Sequence, residues 1–285
     1  MKRTTLLQGI SLIAGSVALM SCAAPDESVS MSAPNDNLNA TLWMQSSVEY
    51  AGVTMGAYQL ATAMLDKALA DANWNAIPGE QGEIYMSKPP AVILDVDETV
   101  LDNSKYQAWM VMNDQTFNPK TWGEFVNSVD SMPIPGSLEF TNYADSKGVK
   151  VFYVSNRTGD LEEATRKNLE KYGYPMGGNV DTVLLKKEKP EWKSSKKSPR
   201  RTHVGNDYRV LLVLGDNFGD FVDGYKGSLA ERQALMEQHK DLWGTKWIVL
   251  PNPSYGSWES AAFGHNYKEP DQRGKKQGAL SVWAQ

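Results

Sequence analysis

The stretch Ala91-Val92-Ile93-Leu94-Asp95-Val96-Asp97-Glu98-Thr99-Val100 constrains this chain most. Four apolar residues, entered through Pro89-Pro90, read as a strand buried on both faces. The strand delivers two carboxylates at its C-terminal end, which is where open α/β sheets hold their ligands. Asp95 and Asp97 lie two apart, so an extended backbone points both to one side, with Thr99 beyond them as the chain turns into a loop. Two carboxylates held close suit two tasks: binding a hard cation through oxygen, and dividing nucleophile and proton-donor roles between two acids. An isolated Asp-x-Asp is equally a polar turn after a buried strand, so its meaning rests on what accompanies it downstream.

With 285 residues the chain can hold one large α/β domain or two small ones. Met1-Lys2-Arg3 followed by the apolar run Leu6 to Met20, broken by Gly9 and Gly15, predicts a secretory leader over residues 1–21 and is short for a membrane span. Leu19-Met20-Ser21-Cys22 sets a small residue before the only cysteine and resembles the lipobox of bacterial lipoproteins. Cys22 is then expected as the acylated N-terminus, with an ordinary cleaved leader as the alternative. No thiol remains for disulfide, redox or metal chemistry. Loss of Lys2 and Arg3 with the leader takes the basic residues from 29 to 27 against 34 acidic, and the net charge from −5 to −7. Such a surface argues against nucleic acid as a partner. Ala, Ser, Pro, Asp and Asn dominate Ala23 to Asn39, so residues 22–40 are expected as a flexible tether and 41–285 as the folded domain.

From Thr41 to Ala72 apolar residues recur at helical spacing, predicting one long helix or two consecutive ones, a helical extension over residues 41–75. Gly52 and Gly56 within it are expected to allow close helix packing or to mark a bend. The extension could cap the site, pair with a second copy, or simply pack. After the first strand, the aromatic-rich segment with Trp109, Phe117, Trp122 and Phe125 is too long for an ordinary loop, and predicts a helical cap over about 103–133. A helix over Ser137 to Ser146 leads into a second strand, Val149 to Val154, that ends at Ser155-Asn156-Arg157. A hydroxyl and an amide there are small neutral donors for a phosphoryl oxygen. Asp160 and Glu163 form a capping-box pattern for a helix that Gly173 stops. Thr182 to Leu185 is a short strand, followed by a basic segment from Lys186 to Arg201. Most of its charges suit a solvated face, and one lysine beside the aspartates would offset their charge. A fourth apolar strand, Arg209 to Leu214, ends at Gly215-Asp216-Asn217-Phe218-Gly219-Asp220, which sets two more carboxylates at a strand's C-terminal end. Gly219 and Gly224 have Walker spacing, but Tyr225 stands where lysine is required, which excludes a P-loop. A helix over Leu229 to His239 precedes a fifth strand, Trp247 to Leu250.

Asp-x-Asp-x-Thr, Ser-Asn, a basic segment and Gly-Asp-x-x-x-Asp, each at the right end of a strand and in this order, resemble the motif set of the haloacid-dehalogenase-like phosphohydrolases. In detail the chain is similar to the class C bacterial acid phosphatases, the lipoprotein 5′-nucleotidases of outer membranes. The likeness rests on Leu42-Trp43-Met44-Gln45 with Glu49-Tyr50, Leu94 to Ser104, Val154 to Arg157, Trp192 to Lys196, Gly215-Asp216-Asn217 with Asp220-Phe221, and Asn252-Pro253-Ser254-Tyr255-Gly256. It implies a Rossmann-like α/β fold with a central, mostly parallel sheet, a helical cap and an N-terminal helical extension. It implies Asp95 as nucleophile, Asp97 as proton donor and then base, Ser155 as a phosphoryl ligand and Lys196 as the motif lysine, with Lys193 as a substitute. Mg²⁺ would be held by Asp95, the Asp97 carbonyl and Asp216, with Asp220 ordering a bound water, Thr99 supporting the aspartates and Asn156 near the substrate. The run Lys196 to Arg201 is one residue longer than the family spacing before its arginine pair.

The resemblance further implies that Trp122 and Tyr255 sandwich the base of a nucleoside monophosphate, with core packing as the other account of these rings. The expected partners are nucleoside 5′-monophosphates or other small phosphate esters, the membrane through Cys22, and a second copy in a homodimer. The expected location is the bacterial envelope, lipid-anchored at the outer membrane. Two other readings use the same pocket: a non-catalytic lipoprotein that binds a ligand, and a phosphotransferase that shares the aspartyl-phosphate. The three histidines offer no Arg-His-Gly setting for phosphohistidine chemistry.

Overall fold

Parallel pairing around β1 (Pro90–Leu94) organises the molecule, whose computed structural model describes residues 35–284. After β1 come a short hairpin of β2 (Leu101–Asp102) and β3 (Met132–Pro133), then β4 (Lys150–Thr158), β5 (Val183–Lys186), β6 (Arg209–Gly215) and β7 (Trp247–Val249). The central sheet has the order β5-β4-β1-β6-β7, parallel throughout. β1 is therefore the middle strand, and the ends of β4 and β6 flank its two aspartates. The expected secretory leader and Cys22 lie outside the described residues.

Both faces of β1 are covered, as its unbroken apolar run demands. Val92 and Leu94 pack with Tyr58, Leu65 and Phe140 on one face; Ala91 and Ile93 pack with Trp192, Val204, Phe221 and Trp247 on the other. α1 (Leu38–Ser46) lies against the cap; the first layer comes from α2 (Val48–Ala70) and α5 (Ser137–Ser146), and the second from α7 (Ser198–Asp207) with the segments around Trp192 and Trp247. The hairpin carries the cap helices α3 (Ser104–Met112) and α4 (Pro119–Asn127). The remaining helices are α6 (Glu162–Tyr172), α8 (Leu229–Gln238), α9 (Ser257–Ala261) and α10 (Gln272–Gly278).

The N-terminal extension is two helices. Ser47 is extended between them, and its hydroxyl accepts the Tyr50 N–H at 3.0 Å, capping α2. Helix α1 begins at Leu38, inside the stretch expected as tether, and Asp36 just before it pairs with Arg273. Gly52 and Gly56 lie inside the unbroken helix α2, and a Cβ added at either would meet nothing within 4 Å. Close packing instead falls on Gly136, at φ +90, where a Cβ would lie 3.2 Å from the Met55 Cα of α2. Strand β4 runs on through Ser155-Asn156-Arg157 to Thr158. Residues Gly159–Leu161 make a 3₁₀ turn, so Asp160 caps nothing, and Glu163 pairs with Lys167 on α6 instead of closing a capping box. That helix does end at Gly173.

Candidate active site

Four segments meet at the C-terminal end of the sheet. The β1 tip brings Asp95 to Thr99, the β4 tip Ser155 to Arg157, the β6 tip Asp216 to Asp220, and the start of α7 a lysine. One oxygen each from Asp95, Asp216 and Asp220 lies within 4.8 Å of the others. The gap between Asp216 and Asp220 is bridged by a capping box: Asn217 accepts Gly219 N–H at 3.3 Å, and Asp220 Oδ2 accepts Asn217 N–H at 2.8 Å. This folds the Asp220 carboxylate back against Gly215, where any Cβ would collide with it. Asn252 Nδ2 donates to Asp216 Oδ2 at 2.7 Å.

The lysine at the centre is Lys197, which replaces both earlier candidates. Its Nζ lies 2.5 Å from Asp95 Oδ1 and 2.6 Å from Asp220 Oδ1. Lys196 turns outward with its side chain 62% exposed, 3.6 Å from Asp223, and Lys193 is exposed as well. Helical geometry gives the reason. Lys197, Arg200 and Arg201 stand at i, i+3 and i+4 around the first turn of α7 and share its inner face, so a neighbour one residue back must point elsewhere. With Lys197 as the motif lysine, the extra residue before the arginine pair disappears. Arg201 pairs with Glu80 through Nε at 2.8 Å and donates to the Asp220 carbonyl at 2.8 Å. Arg200 donates to the Ser155 carbonyl and, at 2.7 Å, to Asn156 Oδ1; burial among these neutral acceptors lowers it to about 10.

Asp97 has different company. Arg157 reaches its Oδ1 through Nη2 at 2.8 Å and Nε at 2.9 Å, and Asn103 Nδ2 donates to the same oxygen at 2.9 Å. Ser155 Oγ, fully buried, lies 3.4 Å from Asp97 Oδ2 and accepts the Arg157 N–H at 3.0 Å. Asn156 is exposed, with Nδ2 on the Ser195 carbonyl at 3.2 Å. Thr99 is buried below the loop, and its carbonyl accepts the Tyr58 hydroxyl at 2.5 Å, which ties α2 to the site.

Burial dominates the electrostatics. It pushes the Asp95 carboxyl up to about 7 against the pull of Lys197, with Asp220 and Asp97 adding to the rise. Asp216 is raised well above the usual carboxylate range, first by burial and then by Asp220 and Asp95. For Lys197, burial opposes the charge, but Asp220 and Asp95 outweigh it and hold the ammonium above its ordinary value. Three clustered carboxylates thus have one cation in ion-pair contact among the described residues. An all-oxygen, over-negative donor set fits a hard divalent cation. Asp220, expected to act through a water, is part of this cluster itself.

Above the site the cap presents a block of rings. Tyr106 lies 5.3 Å from Trp122, 5.6 Å from Phe125 and 5.9 Å from Trp109, while Trp109 and Phe117 are exposed. Trp122 is half-buried against Val126, Leu161 and Ala164, and the Arg157 guanidinium sits 5.5 Å from its ring centre. On the late loop, Tyr255 donates to Glu98, a buried carboxylate that sequence reasoning passed over.

This arrangement agrees with what the chain is similar to. The model of the HAD superfamily, subfamily IIIB (acid phosphatase), matches residues 14–258. The chain belongs to that family. The class C acid phosphatase of Bacillus anthracis, with tungstate bound, superposes with a TM-score of 0.76 at 34% identity over 87% of this chain and 98% of that one. A second structure of the same Bacillus anthracis phosphatase gives a TM-score of 0.75 at 33% identity. Two stem glycoproteins of Glycine max, of 28 and 31 kDa, are 26% identical over 167 residues and 28% over 139. The chain spans 58% and 47% of the length of these soybean relatives.

Proposed function

We propose that this family member is a Mg²⁺-dependent phosphomonoesterase acting on nucleoside 5′-monophosphates and other small phosphate esters. The observation that carries the reading is the division of partners at the β1 tip: Asp95 lies against Lys197 in the acidic cluster, and Asp97 lies against Arg157 and Asn103. The two carboxylates are thereby held by separate groups, as a division between nucleophile and proton carrier requires.

In the first step an Asp95 oxygen attacks phosphorus while the ester P–O bond breaks, and Asp97 gives its proton to the departing oxygen. In the second, Asp97 takes a proton from water, the water oxygen attacks phosphorus, and the Asp95–phosphoryl bond breaks to release phosphate. Lys197 and Ser155 would hold the phosphoryl oxygens. Asp95, Asp216 and Asp220, with the Asp97 carbonyl of the family pattern, would hold Mg²⁺, which offsets negative charge on the phosphoryl group when bound. The tungstate in the Bacillus relative is a tetrahedral oxyanion like phosphate, which supports this assignment. The rings of Trp122 in the cap and Tyr255 on the late loop support stacking of a base.

Asp95→Asn should lower p-nitrophenyl phosphate turnover by about a thousandfold or more with an unchanged far-ultraviolet dichroism spectrum. Undiminished turnover would remove Asp95 from the mechanism. We also propose lipid anchoring of the chain at Cys22 to the outer membrane, tested by incorporation of labelled fatty acid into wild type and Cys22→Ser. The exposed Leu38, Leu42, Val48, Val53 and Met55 on α1 and α2 support a homodimer, which light scattering would detect.

A further inference from the structure

Glu98 is fully buried, yet among the described residues no cation stands in ion-pair contact with it. Its partners are neutral donors. The Asn103 N–H reaches Oε1 at 2.8 Å, Asn103 Nδ2 lies 3.4 Å from Oε2, and the Tyr255 hydroxyl donates to Oε2. The backbone at Glu98 is left-handed, φ +54, an unusual state for a non-glycine residue and one found where function holds it. Its N–H is fixed to the Leu101 carbonyl at 2.8 Å, which aims the side chain inward under the loop. A buried acidic side chain is costly to hold unless its polar atoms are satisfied, and those of Glu98 are satisfied by Asn103 and Tyr255.

Those groups lead in two directions. Asn103 is, with Arg157, one of the residues that hold Asp97, and its Oδ1 in turn accepts Ser131 Oγ at 2.6 Å from the far side of the cap. Tyr255 belongs to a loop fixed at several points: Asn252 on Asp216, Ser254 Oγ on Met44 Sδ at 3.0 Å, and Ser257 Oγ on Asn217 Oδ1 at 2.5 Å. Those contacts hold the backbone of the loop. Only the Glu98 bond fixes the hydroxyl end of the Tyr255 ring among the hydrogen bonds of the described residues.

We propose that Glu98 is a positioning residue that links substrate recognition to proton delivery. It sets the plane of the Tyr255 ring for a stacked base and, through Asn103, the orientation of the Asp97 carboxyl. The proposal rests on the stacking role given to Tyr255 above. A substrate with a base to stack therefore draws on both arms of Glu98, and a small aryl phosphate draws only on the Asn103 arm.

The test uses Tyr255→Phe, which removes one hydroxyl, Glu98→Met, which nearly keeps the volume and removes the hydrogen-bonding oxygens, and the double variant, assayed on AMP and on p-nitrophenyl phosphate, with Trp122→Ala in parallel. Tyr255→Phe should raise KM for AMP roughly tenfold and leave KM for p-nitrophenyl phosphate within about twofold, the size expected when base stacking is loosened. Glu98→Met should show the same KM split plus a fall in kcat on both substrates. The double variant should have the AMP KM of Glu98→Met alone, because the bond is already lost. A Tyr255→Phe enzyme without the split overturns the proposal, also where Glu98→Met does not fold. Multiplied losses in the double variant overturn it too. If Trp122→Ala keeps the split and Tyr255→Phe lacks it, the linkage fails while the nucleotidase reading stands; if neither shows it, both fail.

Discussion

Asp95 and Asp97 are two residues apart, but one belongs to the sheet and the other to the cap. Asp95 is held from β6 and the first turn of α7, by Lys197 and beside Asp216 and Asp220. Every group around it stands at the tip of a buried strand or on the inner face of a helix, where packing leaves little freedom. Asp97 is held by Arg157 and Ser155 from β4 and by Asn103 at the root of the cap. Asn103 is tied to Ser131 and Arg157 lies against Trp122, so this half of the site shares its supports with the cap. In the proposed reaction, the phosphoryl half is thus built into the core, and the leaving-group half into segments shared with the cap. Under the proposed roles, cap changes would alter substrate choice and proton transfer without moving Asp95.

The sharpest way to break this contrast is to withhold the proposed Mg²⁺ from the sheet side. Chelation should abolish turnover and added Mg²⁺ should restore it, a change of about a thousandfold or more when charge on the phosphoryl group is left unbalanced. Full activity in chelator would end the metal role. On the cap side, Asp97→Asn should cost AMP turnover about 10²–10⁴-fold, and p-nitrophenyl phosphate less, because p-nitrophenolate leaves without a proton. Equal losses would place Asp97 in the step common to both substrates alone.

Next in size is the lysine pair. Lys197→Ala leaves two buried carboxylates without their shared ammonium and should cost stability by about 3–5 kcal/mol, together with most activity. Lys196→Ala, one residue away and exposed, should change unfolding by less than about 0.5 kcal/mol and activity little. Urea unfolding of both variants decides it, and similar losses would mean that the inward lysine is misassigned. Trp122→Ala should weaken AMP turnover roughly tenfold more than that of a small aryl phosphate.

The smallest expected effect is a pH-dependent shift in melting temperature. The Asp95 carboxyl is raised from 3.8 to about 7, so the metal-free folded state keeps a proton that the unfolded chain has already released in this interval. Asp216 shifts in the same direction. Their contribution to stability is full at the acid end and is lost as pH rises through about 7. A cation that competes with these protons binds better as they leave. Mg²⁺ should therefore raise the melting temperature by a few degrees more at about pH 7.5 than at about pH 4.5. A larger gain at the acid end would contradict the ligand set.

Much of this site was legible in the chain itself. An apolar run of four residues closing on Asp95-Val96-Asp97 reads as an interior strand with its carboxylates at one end, because neither face tolerates charge and the run is too short for a buried helix. The same reasoning places Ser155 and Asp216 at strand tips, and open α/β sheets gather such tips along one edge. Local patterns that depend on three-dimensional neighbours were less readable. Asp160 and Glu163 spell a capping box, but a 3₁₀ turn moved the helix start past them. Gly52 and Gly56 suggested close packing, and the close approach falls on Gly136.

What the sequence determined by itself was the order of strands that carry chemistry and the residue types they present, since hydrophobic pattern and strand periodicity are local properties. Tertiary structure alone decided which lysine turns inward, that Asp220 joins the acidic cluster, and that Glu98 lies beneath Tyr255. A basic run gives every lysine the same local propensities, and only the rotation of α7 against the sheet separates Lys197 from Lys196. Glu98 and Tyr255 are joined across more than half the length of the chain, a distance that short-range pattern does not reach.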